Sequence, residues 1–309
     1  MKDQKEDIIL NSNIKDSIQY QVENNAHMAN ILSSHIYSNP IAAVIRELST
    51  NAYDAHLDAG IEKPFDVELP TEGRLEFSVR DYGRGLSRKE IEEVYTKYGN
   101  STKNESDDFV GMLGIGSKSP LAYSDSFSTI SINNGRKITC VNAKDDEGMP
   151  CLYFTGDIET EEPSGLQVIV PVQQKDIGDF VSNASRIYHW FPKKPNLNIK
   201  INESKYKDIY MDLDKYQIYN SDNRVKNKVI MGNVGYNLNL GEIGYNEHNI
   251  GINVVLHVEI GAVNITPSRE ELRYTKKTIE YLKSCMSDCL IKIRNKVSEE
   301  INEELCFAD

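Results

Sequence analysis

The spacing of apolar residues divides the chain into helical and extended segments. Apolar positions three or four apart predict helices over residues 21–37, 174–190 and 275–305, and an uninterrupted apolar run opens another helix at residue 41. Turn sequences such as Asn133-Asn134-Gly135 indicate hairpins. Helices on one side of a mixed, mostly antiparallel sheet are therefore expected, which is an α+β fold. Alternating apolar and polar positions predict the strands, at residues 75–80, 127–132, 137–143, 151–155 and 166–172.

A second domain is predicted after residue 195. The chain has 309 residues, more than a single domain usually contains, and a proline-containing segment at 191–195 marks a boundary. The two parts are residues 1–195 and residues 196–309. The second part is expected to be a smaller α/β domain that ends in the long helix, with strands at 198–201, 229–231, 253–257 and 262–265.

Composition narrows the classes of function. A net charge of −12 argues against binding nucleic acid through bulk electrostatics, and the local basic groups, Lys193-Lys194 and Lys226 with Lys228, are typical of a solvated surface. No apolar run is long enough for a membrane span, and no signal peptide is visible. The five cysteines form neither a disulfide framework nor a zinc site, so the reducing cytoplasm is the expected location.

The segment from Glu47 to Ala55 carries the first candidate chemistry. At about 100° per residue, Glu47, Asn51 and Asp54 fall on one stripe of the helix that opens at residue 41. That stripe presents two carboxylates and an amide. A solvated helix face has the same composition, so this segment alone leaves both interpretations open.

Two glycine-bearing segments follow. In Asp81-Tyr82-Gly83-Arg84-Gly85, an ionised carboxylate can accept a hydrogen bond from the exocyclic amine of adenine, and glycines let the backbone approach a planar base. An ordinary turn is the alternative for this segment. Gly111-Met112-Leu113-Gly114-Ile115-Gly116-Ser117-Lys118 precedes a predicted helix start, where free N–H groups favour phosphate. It is not a Walker P-loop, because Ser117 follows the last glycine.

The order and spacing of these segments closely resemble the GHKL, or Bergerat-fold, ATPases: gyrase B, the heat-shock chaperone, histidine kinases and MutL. Within that class the chain is most similar to the rIIA-like proteins of tailed phages, through Asn39-Pro40, Arg46-Glu47-Leu48, residues 114–120 and residues 268–272. The resemblance covers most of the chain. It implies a two-layer α/β sandwich over residues 1–195, an ATP lid at about residues 96–118, and a transducer-like second domain.

The resemblance also implies a role for each residue. Glu47 is the expected general base for the attacking water, Asn51 the Mg²⁺ ligand and Asp81 the adenine-reading carboxylate. Asp54 is expected to support the water and the metal. The other residues expected around ATP are Gly83, Gly85, Lys103, Gly111, Gly114, Gly116, Ser117 and Lys118.

Two further positions bear on the site. Where the family's fourth motif has threonine, this chain has Leu166, which puts adenine affinity in question; Ser164 is the candidate substitute hydroxyl. In the MutL branch a lysine two residues after a proline contacts the γ-phosphate, and Arg269 holds that place here. Arginine is a bidentate phosphate ligand, so Arg269 is a candidate catalytic residue. The alternative is a local pair with Glu270 or Glu271.

The implied function is a switch driven by Mg²⁺ and ATP, with slow hydrolysis and a change of conformation or dimerisation. The resemblance implies a phage role in protecting infection from host or prophage exclusion. The expected partners are a second copy of the chain and a phage or host protein. The second copy is contacted through the N-terminal arm, the polar residues 1–20. The expected location is the host cytoplasm, and peripheral membrane association is compatible with it. Two alternatives stay open: a non-hydrolysing nucleotide-binding module that inhibits or recruits a host partner, and an ATPase fragment of the topoisomerase or mismatch-repair type.

Overall fold

The computed structural model describes residues 36–96, 115–145, 148–202, 209–220, 225–246 and 250–306. The predicted N-terminal arm, nearly all of the helix at 21–37 and most of the lid, with Lys103, Gly111 and Gly114, lie outside these ranges. Within them the chain forms two sheets, and each sheet has its own apolar core.

The first sheet has seven strands in the order β5-β4-β3-β6-β2-β1-β7. All neighbours pair antiparallel except β1 and β7, so the predicted mixed, mostly antiparallel sheet is confirmed. Its strands are β1 (Asp66–Glu68), β2 (Glu76–Arg80), β3 (Ser126–Asn133), β4 (Arg136–Lys144), β5 (Pro150–Glu159), β6 (Gly165–Pro171) and β7 (Asn196–Leu197).

Among the described residues, three α-helices accompany this sheet: α1 (Pro40–Asp58), α2 (Arg88–Thr96) and α3 (Ile177–Tyr188). Helix α1 begins at residue 40 because the Asn39 side chain accepts a hydrogen bond from the backbone N–H of Ala42 and Pro40 fits the first turn. Its apolar side, with Val44 and Leu48, is buried in the core that also contains the sheet residues and α3. Helix α1, which packs on the sheet through this apolar side, therefore carries the predicted polar stripe of Glu47, Asn51 and Asp54.

The second sheet has five strands in the order β11-β10-β12-β9-β8, and β10 runs parallel to β12. Helix α4 (Lys276–Cys306) buries Leu282, Met286 and Cys289 in the core of this sheet. In the part of the chain that the structure describes, no helix has the length and apolar character needed to cross a membrane. The strands are β8 (Met211–Asp212), β9 (Tyr216–Asn220), β10 (Lys228–Met231), β11 (Val234–Asn237) and β12 (Ile252–Val258).

Two of the predicted strands are wrong. At 198–201 the Asn198 side chain bonds both the N–H and the carbonyl of Leu69, so an amide replaces the strand ladder there. At 262–265 the backbone N–H of Asn264 bonds the Thr278 hydroxyl, and only Ile265 forms a bridge. The division into residues 1–195 and 196–309 stays a prediction; β7, at 196–197, belongs to the first sheet.

Trp190 connects the two sheets just after α3. Its ring lies against Gly235 of β11, where a Cβ atom would stand 2.9 Å from the indole Nε1. Trp190 is buried in a cluster with Tyr219, Ile230 and Val255 of the second sheet. A residue other than glycine at 235 would push the indole away, so this glycine allows the close joint.

Candidate functional site

Glu47 is buried on α1 with both carboxylate oxygens bonded to guanidinium groups. Arg46 Nε donates to Oε1 at 3.1 Å, and Arg269 Nη1 donates to Oε2 at 2.8 Å. The carboxylate is 1% exposed, so these two cations compensate for the hydration it has lost. The predicted base therefore lies between two arginines that are already in place. Arg46 is its neighbour on α1, and Arg269 comes from the loop between β12 and α4.

The loop that carries Arg269 contacts the start of α1 through three successive residues, 268–270. The Ser268 carbonyl accepts a hydrogen bond from Arg46 Nη2 at 2.9 Å, and the Glu270 carboxylate accepts the backbone N–H groups of Ser38 and Asn39 at 2.9 and 3.0 Å. Arg269 itself has a left-handed φ of 55°, which turns it toward Glu47. The alternative of a local pair between Arg269 and Glu270 or Glu271 is wrong.

Tyr37 adds a buried hydroxyl beside this cluster. Burial raises the pKa of Tyr37 well above its ordinary value, and the nearby charge of Glu47 raises it further. The tyrosine therefore stays protonated and can donate. Sequence reasoning missed Tyr37 and Arg46, because only the folded loop shows that they surround Glu47.

Gly116 lies directly against Glu47. A Cβ atom at position 116 would stand 2.6 Å from Glu47 Oε2, which is closer than nonbonded atoms approach, so only glycine fits. The residue opens a short 3₁₀ helix, Gly116–Ala122, in place of the predicted α-helical start. The end of the second glycine-bearing segment, residues 111–118, and the predicted base therefore share one site.

Ser117 and Lys118 are directed toward the end of α2. Lys118 Nζ donates to the Val94 carbonyl at 2.6 Å, and the Ser117 hydroxyl donates to the same oxygen at 3.4 Å. Lys118 is almost fully buried, and burial lowers the pKa of its ammonium group to about 8. The contact of these two side chains with phosphate stays a prediction; in this conformation they fasten the end of the lid to α2.

Asp81 is buried at the end of β2 and is oriented by backbone donors. The N–H groups of Gly83 and Leu166 donate to its Oδ1 at 2.8 and 3.2 Å. Burial raises the pKa of Asp81, and the two backbone hydrogen bonds oppose that shift. Among the described residues both hydrogen bonds end on Oδ1, so Oδ2 is the oxygen available to a ligand.

Leu166, at the position of the family's threonine, contacts Asp81 through its main chain. Its N–H reaches the Asp81 carboxylate, and its carbonyl accepts the backbone N–H of Asp81 at 2.9 Å. The neighbouring Gly165 has φ 136°, and a Cβ there would stand 2.2 Å from the Asp81 carbonyl. Because residue 165 is glycine, β6 can approach the backbone of Asp81 closely, and the N–H of Leu166 can then bond the Asp81 carboxylate.

His56 ties the Asp81 turn to α1. The backbone N–H of Tyr82 donates to His56 Nε2 at 2.9 Å, so Nδ1 carries the proton that is donated to the Lys63 carbonyl at 2.9 Å. Gly83 also packs on α1, since a Cβ there would lie 3.2 Å from the Ala55 side chain. No sequence signal distinguishes His56 from an ordinary buried histidine.

The structure gives a reason for glycine at position 85 that differs from the predicted approach of the backbone to an adenine base. Its φ is 69°, and a Cβ atom at this position would stand 2.1 Å from the Ile132 carbonyl of β3. Packing against a strand therefore requires glycine here whether or not a ligand binds. Its contact with a nucleotide stays a prediction.

The two halves of the site lie along one helix. Glu47, Gly116 and Arg269 meet at one end, and the Asp81 turn packs against α1 near Ala55. The eight-step separation of positions 47 and 55 corresponds to about 12 Å of helix. Asn51, exposed, and Asp54, half-buried, lie between these ends. A long ligand with different chemistry at its two ends suits this arrangement.

The oxygen donors on this stripe fit Mg²⁺ bound together with phosphate. Mg²⁺ usually takes only one or two protein oxygens and completes its shell with water and substrate phosphates, which suits the Asn51 amide oxygen with Asp54 nearby. Across the described ranges, no group of three or more His, Cys, Asp and Glu side chains converges on a metal position.

Comparison with known proteins agrees with this geometry. Residues 37–146 match the family described as histidine kinase-, DNA gyrase B- and HSP90-like ATPase. No curated protein matches the chain. Among solved structures, the ATPase region of Saccharomyces cerevisiae topoisomerase II is similar with a TM-score of 0.54 and 14% identity, over 82% of this chain and 85% of that chain. At this identity the similarity shows a shared fold. Residues 37–146 therefore match that family model in sequence, and the chain shares the mixed α/β fold of the topoisomerase II ATPase region.

Proposed function

We propose that the chain binds ATP with Mg²⁺ along α1 and hydrolyses it, and that Arg269 couples the γ-phosphate to the second sheet. The observation that carries this proposal is the position of Glu47, which lies between Gly116 and Arg269. A buried base, a lid glycine and a movable cation at one point are what hydrolysis of a terminal phosphate requires.

Asp81 is proposed to read the base. Its Oδ1 is held by two backbone N–H groups, so its Oδ2 has a defined direction in which to accept the exocyclic amine of adenine. Asn51 and Asp54 are proposed to hold Mg²⁺ and its water between the two ends of the site. The metal, when bound, neutralises phosphate charge and orients the terminal phosphate.

Glu47 is proposed to take the proton of the attacking water. A carboxylate whose two oxygens are both bonded to guanidinium groups is a poor proton acceptor, so one of these bonds must open first. The bond from Arg269 is the one that can open, because Arg269 lies on a loop and its side chain is 23% exposed. A γ-phosphate competes for the same guanidinium group, and its arrival would free Glu47.

The biological setting is proposed from sequence resemblance. The rIIA-like similarity supports a phage protein that protects infection from exclusion, acts in the host cytoplasm and meets a phage or host protein partner. ATP-dependent dimerisation through the N-terminal arm, and phosphate contacts by Lys103, Gly111, Gly114, Ser117 and Lys118, belong to the same proposal.

Two other functions have an observation in their favour. The double pairing of Glu47 favours a module that binds nucleotide without turning it over. The similarity to the ATPase region of topoisomerase II favours a nucleotide-operated DNA enzyme, in which DNA would stimulate turnover. Hydrolysis assays with and without DNA separate all three.

The decisive experiment compares ATP binding and hydrolysis in wild type, Glu47→Gln and Asp81→Asn. Glu47→Gln should lose turnover by about 10²-fold or more, because proton transfer is removed, and should still bind ATP at least as tightly as wild type, because its bond with Arg269 is weaker. Asp81→Asn should bind ATP about tenfold to a hundredfold more weakly, since it loses a charge-assisted hydrogen bond. Asp58→Asn, an exposed change at the end of the same helix, is the matched control. Wild-type turnover in Glu47→Gln would refute the assignment of the base.

A further inference from the structure

Tyr37 is a buried side chain of the candidate site that the proposed mechanism does not use. The residue is 8% exposed and packs in a small cluster with Ala43 and Ile115. Ala43 lies one helical turn before Glu47 on the same face of α1. Ile115 precedes Gly116, where a Cβ atom would stand 2.6 Å from Glu47 Oε2. Both neighbours of the tyrosine ring therefore lie beside the predicted base.

The backbone next to Tyr37 is tied to the loop that carries Arg269. The N–H groups of Ser38 and Asn39 donate to the Glu270 carboxylate at 2.9 and 3.0 Å. Asn39 also caps α1 through its side chain. Tyr37 is thus held between the start of α1 and this loop, and its ring cannot leave the neighbourhood of Glu47 unless these contacts break.

The hydroxyl group of Tyr37 makes no hydrogen bond with any residue that the structure describes. Tyr188, another buried tyrosine beside α1, differs in this respect, since its hydroxyl shares a hydrogen bond of 2.9 Å with Ser49. Burial raises the pKa of both phenols, so both stay protonated at neutral pH. Tyr37 therefore has a donor to offer, whereas the hydroxyl of Tyr188 is already engaged.

The charge that acts most strongly on the Tyr37 hydroxyl is that of Glu47, which adds to the effect of burial in raising its pKa. Smaller effects come from three further charged groups, Arg46, Arg269 and Glu270. A second buried tyrosine, Tyr236 of β11, is affected more by the two arginines than by Glu47. Of the two phenols, Tyr37 is therefore the one placed to donate to the carboxylate.

We propose that Tyr37 is a positioning residue for Glu47 during hydrolysis, and that its hydroxyl donates to the carboxylate oxygen that Arg269 leaves. This inference rests on the proposed function, in which Arg269 turns from Glu47 to the γ-phosphate. A buried carboxylate oxygen without a donor favours the protonated acid, which cannot accept a proton from water. A neutral hydroxyl keeps the carboxylate ionised and oriented, and it weakens the basicity of the carboxylate less than a guanidinium group does.

Tyr37→Phe tests the proposal, with Tyr188→Phe as the matched control. In Tyr37→Phe the kcat of ATP hydrolysis should fall about tenfold, while KM and the denaturant midpoint stay near wild type, because the lost hydroxyl bonds only during the reaction. Tyr188→Phe should lower the denaturant midpoint, since it removes the bond with Ser49, and should keep kcat. Wild-type kcat in Tyr37→Phe, or equal losses of kcat in both variants, would overturn the inference.

The pH dependence of kcat separates positioning from a structural role. Its acid limb reports protonation of the base in the complex with ATP. Without the Tyr37 hydroxyl the protonated form of Glu47 is favoured, so this limb should move to higher pH by about one unit, a tenfold change in the protonation equilibrium. In Tyr188→Phe the limb should coincide with that of wild type. A loss of kcat in Tyr37→Phe with an unmoved acid limb would indicate a structural role and overturn the inference.

Glu47→Gln distinguishes failure of this inference from failure of the proposed function. If Glu47→Gln hydrolyses ATP like wild type, the assignment of the base fails and the role of Tyr37 fails with it. If Glu47→Gln is inactive while Tyr37→Phe keeps the kcat and the acid limb of wild type, only the role of Tyr37 fails.

Discussion

Replacement of Arg269 with alanine tests the proposed coupling between the phosphate and the second sheet. Without nucleotide, the change leaves Glu47 bonded to Arg46 alone. Breaking a fully buried ion pair costs about 3–5 kcal/mol. The Arg269 side chain is 23% exposed and Arg46 remains, so we expect the free energy of unfolding to fall by about 2 kcal/mol.

The effect on nucleotide affinity distinguishes a phosphate ligand from a structural residue. A hydrogen bond to a charged group contributes about 1.5–3 kcal/mol, and opening the pair with Glu47 offsets part of it, so ATP affinity should fall about tenfold. ADP has no γ-phosphate, and its affinity should be unchanged. Calorimetric titration of both nucleotides measures the ratio. Arg273→Ala, which removes an exposed arginine from the same region, should change neither affinity.

A double-mutant cycle strengthens the test. Because ATP must draw Arg269 away from Glu47, Glu47→Gln should bind ATP more tightly than wild type, and this gain should disappear when Arg269 is alanine. Equal losses of ATP and ADP affinity in Arg269→Ala would refute the phosphate contact. Independent effects of the two substitutions would refute the competition between phosphate and Glu47.

Two further predictions concern the backbone contact on Asp81 and the buried lysine. Leu166→Thr and Leu166→Ala should keep ATP affinity within about threefold of wild type, because the N–H of residue 166 and not its side chain holds Asp81; a tenfold loss in the same titration would contradict this. Burial lowers the pKa of Lys118 from 10.5 to about 8, so between these pH values the unfolded chain binds more protons and stability rises with pH by up to about 3 kcal/mol. Denaturant unfolding should show that the stability of wild type relative to Lys118→Met increases from pH 8 to 10.5; the comparison is needed because burial also lowers the pKa of Lys228 to about 8 in both proteins. A constant difference between the two proteins across this range would be the contrary result.

Local patterns predicted the hairpin strands of the first sheet and the helix that carries the candidate site residues. The hairpin strands fall where alternation and turn residues indicated them, and α1 contains the apolar run that opens at residue 41. The stripe on α1 follows from helix geometry alone. These features depend on residues close in sequence, which is why they were predictable.

Contacts between distant segments could not be predicted from pattern. The Arg269–Glu47 bond joins positions 222 residues apart, and the family resemblance suggested a phosphate contact for Arg269 without this pairing. Leu166 differs from the family's threonine in its side chain, whereas its backbone N–H makes the hydrogen bond to Asp81. The apolar segment at 262–265 has a strand-like composition, but a threonine hydroxyl from α4 takes its N–H.

The joint at Trp190 gives the molecule an internal optical probe. The chain contains a single tryptophan, and that indole is buried where the first sheet's helices meet the second sheet. Any rotation of one sheet relative to the other changes the polarity around this one chromophore. Stopped-flow emission from unlabelled protein, excited at a wavelength that tryptophan absorbs and tyrosine does not, can therefore test whether adding ATP changes the packing at this joint.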